Sequence, residues 1–456
     1  MTSEIGWDLL LKNIVPGAFH DSDELYDAPK CHPETRKAIL KWIMSWIEDQ
    51  DIRNSFILWM YGPAGAGKSA IAKTIAGIWA EAGLLAASFF FSRTASGRND
   101  KTSLVSTLAY QLSLSIPGMR EIVAEAIARD YTIFFRSLQT QIAKLIVEPL
   151  NSVVSNQEIF NATRAKCIVI DGLDECGNAQ AQVEILEALA RCVSTCSFPL
   201  LFLVASRPEY DIRESFNGQA LRSVTTTLPL DVDYQANDDI RTFITSRFGE
   251  IKQVHPAKNH IPDSWPSSDD MRDLVYRASG QFIYASTVMK FIETRQHLPG
   301  KRLEIVLGVS PCTPYDTPFA QLDAMYHHIF SRIANLIIQP TIDLISLLVH
   351  SHRHHTRAQI TFAFCHNFFG YENGYLDIVL SEIHTILSVP APGDNTREIR
   401  LHHQSLGDFL LDQSRSKDLW IDSGQTHAIL ATLWLRLSKR QTNLDSSSGF
   451  YYFSNI

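Results

Sequence analysis

The feature that most constrains the fold is a glycine-rich stretch at 62–69 that reads GPAGAGKS. An apolar run at 56–61 precedes it directly, and residues 68–82 have the apolar spacing of a helix. Glycines allow such a loop to bend so that its backbone N–H groups and the N-terminus of the following helix face a phosphate group. The pattern G-x-x-x-x-G-K-[ST] between a strand and a helix therefore predicts a loop that binds the phosphates of a nucleotide. The predicted binding residues are Gly62, Pro63, Ala64, Gly65, Ala66, Gly67, Lys68, Ser69 and Ala70, with Lys68 as the cation and Ser69 supplying a hydroxyl to Mg²⁺.

Apolar runs along the next 170 or so residues predict the fold that carries this loop. Five runs rich in β-branched and aromatic residues alternate with stretches of helical spacing. Buried strands joined by helical crossovers form a parallel sheet with helices on both faces, so the predicted fold class is α/β, a P-loop NTPase. The predicted strands are 56–61, 84–91, 167–170, 200–205 and 224–228, with helices at 68–82 and 180–193 and a long, multi-helical crossover within 92–160.

An acidic residue ends the third predicted strand. Residues 166–171 read KCIVID, an apolar strand that closes on Asp171, where a P-loop protein holds the aspartate that orients Mg²⁺. Asp174 and Glu175 follow just beyond the strand, and either carboxylate could polarise a water for attack on the γ-phosphate. We therefore predict that Asp171 and Ser69 hold the metal and that Asp174 or Glu175 is catalytic. The alternative is a solvated acidic turn that caps the next helix.

A cation ends the fourth predicted strand. Residues 203–207 read LVASR, which places Arg207 at the strand tip. In P-loop proteins with an added strand between the phosphate-loop strand and the acidic strand, this tip lies beside the γ-phosphate. Arg207 is therefore predicted to be a catalytic residue that senses or stabilises that group, in a sheet of the added-strand type. The alternative is a surface arginine paired with Glu209 or Asp211.

The chain becomes mostly helical after residue 230. Proline-rich breaks at 262–266 and 311–318 mark candidate boundaries, and apolar runs at 386–389 and 399–402 predict two strands among helices, as in a winged-helix domain. The predicted domains are a helical leader at 1–55, the P-loop NTPase domain at 56–230, a small helical domain at 231–340, a winged-helix domain at 341–435 and a C-terminal tail at 436–456.

Composition narrows the class of protein. Lys and Arg total 41 against 49 Asp and Glu, and the net charge of −8 provides no electrostatic footprint for sequence-independent nucleic-acid binding. The 7 cysteines are scattered with no C-x-x-C pair, which is typical of a reduced intracellular protein. No apolar run approaches the ~20 residues that span a bilayer. We therefore expect a cytoplasmic protein with no membrane span.

Together these motifs resemble the NACHT-type P-loop NTPases of the STAND (NLR-like) class, most closely the fungal form with a nephrocystin-type core. Residues 171–175 read DGLDE, which is the acidic motif of that family without a departure. Residues 31–36 read CHPETR and resemble the family's Cys-x-Pro-Gly-Thr-Arg, with Glu34 in place of glycine. The resemblance extends over most of the chain, roughly 15–435, with further family-like segments at 89–93, 280–285 and 322–326.

The resemblance implies a nucleotide-operated signalling switch. In this family a small helical domain and a winged helix close over bound ADP, exchange for Mg-ATP opens the protein, and slow hydrolysis resets it. The implied cofactors are Mg²⁺ with ATP or ADP, and GTP is not excluded. The implied partners are further copies of the chain on activation and an unknown sensor or effector protein, in signalling of the innate-immunity or cell-death kind. About 20 residues follow the core, too few for a ligand-sensing repeat, so the trigger is expected to come from elsewhere.

Three further residues take roles by resemblance alone. Thr35 and Arg36 lie where the family's pre-sheet segment approaches the nucleoside. His403 lies in a segment, 401–410, that resembles the family's His-x-Ser-Phe-x-Asp-Phe-Leu, whose histidine reaches the β-phosphate of ADP. Leu406 replaces the usual aromatic residue there, and a structural histidine is the alternative.

Two other functions remain open. A winged-helix ATPase or transcription regulator that binds DNA is the runner-up, although the acidic charge disfavours nucleic acid as a partner, and a small-molecule kinase is the third hypothesis. A cluster of histidines suggests zinc, but only His350 and His354 share a helix face, so a solvated or pH-responsive helix end is the preferred interpretation. The basic residues that favour DNA are Arg353, Arg357, Arg397 and Arg400, and the other clustered histidines are His352 and His355.

Overall fold

One sheet of five parallel strands organises the first half of the chain in this computed structural model. Its strands are β1 (Ile57–Tyr61), β2 (Leu85–Phe90), β3 (Lys166–Asp171), β4 (Leu200–Ser206) and β5 (Thr225–Pro229). Their order is β2-β3-β4-β1-β5, so β4 lies between the phosphate-loop strand and the acidic strand. The predicted α/β fold and its added strand are confirmed, because β4 pairs in parallel with β1 on one side and with β3 on the other.

The structure describes residues 2–25, 30–48, 55–93, 95–155, 165–230, 236–309, 317–353, 360–381, 383–384, 386–390 and 398–444. These residues form two compact units, and the division along the chain falls between Gln235 and Ala236. A short piece of the phosphate loop, Pro63–Gly65, is grouped with the second unit. The division lies close to the boundary predicted at residue 230.

The two faces of the sheet bury different sets of side chains. Successive residues of a strand point to opposite faces, and in β1 Ile57 and Trp59 enter one hydrophobic core while Leu58 and Met60 enter another. All seven residues of β4 are buried. Burial on both faces explains why these strands read as continuous apolar runs rather than as alternating patterns.

Helices connect the strands and cover both faces of the sheet, as predicted. The crossover from β2 to β3 is the longest connection, and its described residues include four α-helices, with a π-helical segment, Ala143–Val147, between the last two. The helices described in the first unit are α1 (Thr2–Lys12), α2 (Lys37–Glu48), α3 (Lys68–Glu81), α4 (Leu104–Ser115), α5 (Met119–Arg129), α6 (Leu138–Ile142), α7 (Glu148–Val154), α8 (Ala179–Thr195), α9 (Tyr210–Asn217) and α10 (Gln219–Arg222).

The N-terminal segment packs on the sheet as part of the first unit. Leu10 of α1 and Ala18 lie in the same hydrophobic core as β2, and both are fully buried. The His20 backbone N–H donates to the Ser88 hydroxyl of β2 at 2.9 Å. The described residues of the predicted helical leader at 1–55 are grouped in the same compact unit as the sheet.

The second unit is helical and has its own hydrophobic core. Fully buried residues of this core include Ile292, Leu344 and Phe409, which come from three separate helices. Its described helices are α11 (Ala236–Val254), α12 (Ser268–Ala278), α13 (Phe282–Ile292), α14 (Pro299–Leu307), α15 (Ala320–Ser331), α16 (Asn335–Arg353), α17 (Phe362–Phe369), α18 (Tyr375–Ser381), α19 (Gln404–Leu411), α20 (Gln413–Ser416) and α21 (Ser423–Leu444).

Two short strands pair where the sequence predicts a wing. β6 (Leu387–Ser388) and β7 (Arg400–Leu401) are antiparallel, with Leu387 opposite Leu401. The strands are two residues long, shorter than the predicted runs, and the winged-helix assignment stays a prediction. Helix α21 continues past the boundary predicted at 435, and residues 445–456 of the predicted tail lie outside the described residues. Across the described residues, no helix is both long and apolar enough to cross a membrane.

Candidate nucleotide site

The predicted phosphate loop links β1 to the N-terminus of α3. Gly65 and Gly67 have φ angles of 81° and 91°, a left-handed region that L side chains rarely adopt. Gly62 is favoured for a different reason, since a Cβ there would make a tight contact, 3.0 Å, with the Leu230 backbone oxygen. No described side chain caps the start of α3, so its first backbone N–H groups are left for an anion.

Lys68 folds back over the loop. Its Nζ donates a hydrogen bond of 2.7 Å to the backbone oxygen of Gly62. Burial lowers the pKa of Lys68 to about 8, while the neighbouring Asp174 raises it and Arg207 lowers it further. The side chain is therefore largely protonated at neutral pH, as a phosphate-binding lysine must be.

Asp171 and Ser69, the two residues predicted to hold the metal, are in contact. Asp171 ends β3, is 5% exposed, and hydrogen-bonds the Ser69 hydroxyl. Burial raises the pKa of Asp171 to about 7, Ser69 lowers it, and the nearby Glu175 and Asp174 raise it. Its Oδ1 atom is buried and has no hydrogen-bond partner among the described residues.

An unpartnered buried carboxylate oxygen fits a cation. Such an atom is costly unless a hydrogen bond or a cation compensates it. Mg²⁺ takes oxygen ligands and is usually bound by one or two protein groups, with waters and phosphate oxygens completing the shell. The Asp171 carboxylate and the Ser69 hydroxyl match that requirement.

The two acids that follow Asp171 have different surroundings. Asp174 is buried, its Oδ1 accepts a 2.9 Å bond from the Arg207 backbone N–H, and its Oδ2 lies 3.3 Å from Arg207 Nε. Burial alone would raise the pKa of Asp174, but Arg207 and Lys68 hold it below its usual range. Asp174 is thus committed to an ion pair with the tip of β4.

Glu175 is the better candidate for a base. Burial and then the neighbouring Asp174 raise the pKa of Glu175, against the opposing effect of Arg207. Its Oε2 accepts one long hydrogen bond, 3.3 Å, from the Arg93 backbone N–H. A carboxylate with a raised pKa accepts a proton more readily than an ion-paired one, so the structure separates two residues that the sequence left equivalent.

The tip of β4 carries Arg207, but with a partner that the sequence did not suggest. Arg207 pairs with Asp174 rather than with the acidic residues just after it. Glu209 instead lies 3.7 Å from Arg93, which follows β2. Arg93 and Glu209 were missed as site residues, although adjacent parallel strands bring their carboxyl ends to one edge and could have indicated Arg93.

The segment before the sheet reaches the phosphate loop. Arg36 is buried, and its Nη2 donates a 2.9 Å bond to the backbone oxygen of Ala66. Thr35 is also buried, and its hydroxyl donates to the backbone oxygen of His32 at 2.8 Å. Arg36 therefore lies at the loop, and contact of either residue with a nucleoside stays a prediction.

His403 is hydrogen-bonded within the second unit in this structure. Its Nε2 lies 2.8 Å from the backbone oxygen of Ala278 and donates to it, while Nδ1 accepts from the Ser405 N–H at 3.0 Å and caps α19. Burial lowers the pKa of His403 to about 4, so the ring is neutral. Donation to a phosphate would require Nε2 to exchange its partner, and that role stays a prediction.

The other candidate sites give no comparable geometry. Within the described ranges, no group of three or more His, Cys, Asp or Glu side chains is arranged to hold a metal ion. His350 Nδ1 donates to the Ser346 backbone oxygen at 2.8 Å, and its ring packs edge-on against His427. Arg400 is paired with Glu398 at 2.7 Å. Outside the described positions lie His354, His355, Arg357 and Arg397, and the Arg353 and His352 side chains are not described.

The first unit matches a known family model over part of the chain. The family model described as Nephrocystin 3, N-terminal, matches residues 35–207, less than half of the chain. The matched span contains the phosphate loop and the acidic turn, which agrees with the P-loop NTPase fold of the first unit. A comparison with curated proteins found no match.

Comparison with solved structures gives distant similarities. The Orc1 protein of Aeropyrum pernix in complex with DNA is 14% identical, with 85% of this chain and 93% of that chain covered and a TM-score of 0.38. A variant of RuvB from Thermotoga maritima is 13% identical, with 80% and 92% covered and a TM-score of 0.33. Similarity at this level carries no argument about function.

Proposed function

We propose that the first unit binds a nucleoside triphosphate with Mg²⁺ and hydrolyses it slowly, and that the chain works as a nucleotide-operated switch. The observation that carries the nucleotide site is the unpartnered Oδ1 of buried Asp171, beside the Ser69 hydroxyl and the open N-terminus of α3. In a turn with only a structural role, an unpartnered buried carboxylate oxygen would cost free energy with nothing to compensate it. A divalent cation between this carboxylate and a phosphate accounts for it.

Each residue of the site has a distinct role. The loop N–H groups and Lys68 bind the β- and γ-phosphates, and Ser69 with Asp171 holds the metal. Bound Mg²⁺ supplies positive charge at the phosphate oxygens. Glu175 accepts the proton of the attacking water, and Arg207 stabilises charge that develops on the γ-phosphate.

The switch role rests on the resemblance to STAND-class NTPases over 15–435. A bound γ-phosphate shifts the equilibrium of a two-state protein only if the two states contact it differently. In such switches a lid provides that difference, because it contacts the nucleotide in one state only. ADP holds the closed state, ATP opens it, and self-association or recruitment of a sensor or effector protein follows. A DNA-binding role has no specific observation in its favour among the described residues, since Arg400 is engaged by Glu398.

Asp171→Asn tests whether the Asp171 carboxylate binds Mg²⁺. Nucleotide affinity is measured by calorimetry with Mg²⁺ and with EDTA, for ATP and for GTP. We expect the wild type to bind more tightly with Mg²⁺ and the variant to lose that difference. Asp263→Asn, a change at an exposed aspartate of the second unit, serves as the control. An equal Mg²⁺ effect in wild type and Asp171→Asn would remove this residue from the metal site.

A further inference from the structure

Three strand tips are tied together by one arginine that the proposed function does not use. Arg93 follows β2, the acidic turn follows β3, and Glu209 follows β4, and these three strands are adjacent in the sheet. Arg93 Nη2 donates a 2.9 Å bond to the backbone oxygen of Asp174. The same nitrogen lies 3.8 Å from Asp174 Oδ2 and 3.7 Å from Glu209 Oε1.

Arg93 also contacts the candidate base. Its backbone N–H donates to Glu175 Oε2 at 3.3 Å, so one residue holds both acids of the turn through different atoms. Gln182 of α8 supports the same turn from the other side, with Nε2 3.3 Å from the Asp174 backbone oxygen. The acidic turn is thus held by its main chain as well as by its carboxylates.

Ion pairs connect Asp174 and Glu209 to the two arginines at this edge of the sheet. Two guanidinium groups, of Arg93 and Arg207, face two carboxylates, of Asp174 and Glu209, and all four side chains are at most 22% exposed. Removal of one partner from a buried cluster of this kind leaves an uncompensated charge. Arg207 is therefore oriented by an aspartate whose own position depends on Arg93.

The loop that carries Arg93 is itself anchored. The Phe91 backbone N–H donates to the Asp171 backbone oxygen at 2.9 Å, and the Ser92 N–H donates to the Arg98 oxygen at 2.9 Å. Arg98 is buried and donates through Nε to the Phe90 oxygen at 3.0 Å. A loop fixed at both ends can hold a guanidinium group in one place, as positioning requires.

We propose that Arg93 is a positioning residue for hydrolysis, which holds the acidic turn so that Glu175 and Arg207 keep their places at the γ-phosphate end of the site. The inference rests on the proposed function. Arg93 acts through Asp174, Glu175 and Glu209 rather than on the nucleotide. Its loss therefore lowers the rate of the chemical step and leaves nucleotide binding to the phosphate loop.

The test compares kcat with ATP affinity in the full chain. We expect Arg93→Gln to lower kcat by about 10-fold to 100-fold, the range for a misplaced catalytic group, while the Kd for ATP stays within about 3-fold of wild type. Arg93→Lys keeps the charge without the planar fork, so its kcat should lie between those of Arg93→Gln and wild type. Arg129→Gln, at an exposed arginine paired with Glu125, is the matched control and should be unchanged.

A double-mutant cycle tests the ion pair itself. If Arg93 acts with Glu209, Glu209→Gln also lowers kcat, and the double variant is about as slow as Arg93→Gln alone. Melting temperatures identify any variant that fails to fold. If Arg93→Gln does not fold, the kcat values of Arg93→Lys and Glu209→Gln are compared with that of wild type instead. Additive effects of the two changes would overturn the assignment.

Two other results would also overturn the inference, and they are distinct from failure of the proposed function. One is an unchanged kcat in Arg93→Gln while Glu175→Gln is inactive. The other is a loss of ATP affinity with kcat unchanged, which would make Arg93 a binding residue. A wild-type chain that neither binds nor hydrolyses nucleotide would instead contradict the proposed function itself.

Discussion

At the scale of single residues, the site is differentiated by neighbours that are distant in sequence. Asp174 and Glu175 are adjacent, yet the pKa of the first is lowered and that of the second is raised. The difference comes from Arg207, which bonds Asp174 twice and Glu175 not at all in the described contacts. One of two adjacent acids therefore pairs with Arg207, and the other is the one we propose as the base.

Glu175→Gln tests this separation directly. Loss of a general base lowers turnover by roughly 10²-fold to 10⁴-fold, and glutamine keeps the size of the side chain. We expect kcat to fall by at least about 100-fold with ATP binding retained, as measured by phosphate release and calorimetry. Glu187→Gln on the surface of α8 is the control. Full turnover in Glu175→Gln would exclude this residue as the base.

The pH dependence follows from the same carboxylate. A base acts in its deprotonated form, so activity is present above its pKa and is lost as the pH falls through it. Burial raises the pKa of Glu175, so the acid limb of the kcat profile should lie above the ordinary glutamate value of about 4.3. The profile is measured by steady-state phosphate release, and a limb at or below the ordinary value would contradict the assignment.

The sequence predicted where the local parts of the candidate site lie and missed the contacts between distant parts. The phosphate loop and Asp171 lie in contiguous motifs, so their places after β1 and at the end of β3 were predicted, and their roles stay predictions. The pairing of Asp174 with Arg207, and of Arg93 with Glu209, joins residues from different strands. Such pairs depend on sheet order and side-chain direction, which the motifs do not encode.

At the scale of elements, the order of the strands creates the site. Because β4 lies between β1 and β3, the tips that bear the loop, Asp171 and Arg207 are neighbours. The predicted strand runs agree closely with the observed bounds, and for β1 and β4 the reason is that strands buried on both faces are continuous apolar runs. The packing of α1 on this unit could not be predicted, since it depends on a surface formed by α4 and α5.

A pair of adjacent leucines in α1 tests that packing. Leu10 is fully buried in the core of the first unit, whereas Leu11 is 42% exposed. We expect Leu10→Ala to lower the free energy of unfolding by about 2–5 kcal/mol, and Leu11→Ala to change it by less than about 1 kcal/mol. Denaturant unfolding followed by circular dichroism measures both. Equal effects of the two substitutions would show that α1 does not dock through Leu10.

At the scale of the whole molecule, the account requires that nucleotide state controls assembly. A chain that binds ATP but cannot hydrolyse it should accumulate in the ATP state. We therefore expect Glu175→Gln with Mg-ATP to form larger assemblies than wild type, and either protein with Mg-ADP to remain smaller. Sedimentation velocity measures the distribution. Identical profiles with ATP and ADP would contradict the switch, while leaving the nucleotide site intact.

The central claim is that the loop at 62–69 binds a nucleotide, and its most direct test is an equilibrium titration of Mg-ATP into wild type and Lys68→Ala. Lys144→Ala is the control, because Lys144 is an exposed lysine that pairs with Glu148. A hydrogen bond to a charged group contributes about 1.5–3 kcal/mol, which corresponds to a loss of roughly 10-fold to 100-fold in affinity. We predict saturable one-site binding in wild type and Lys144→Ala, and binding weakened by at least about tenfold in Lys68→Ala. Equal affinity in all three proteins, or no binding in the wild type, would contradict a nucleotide site at this loop.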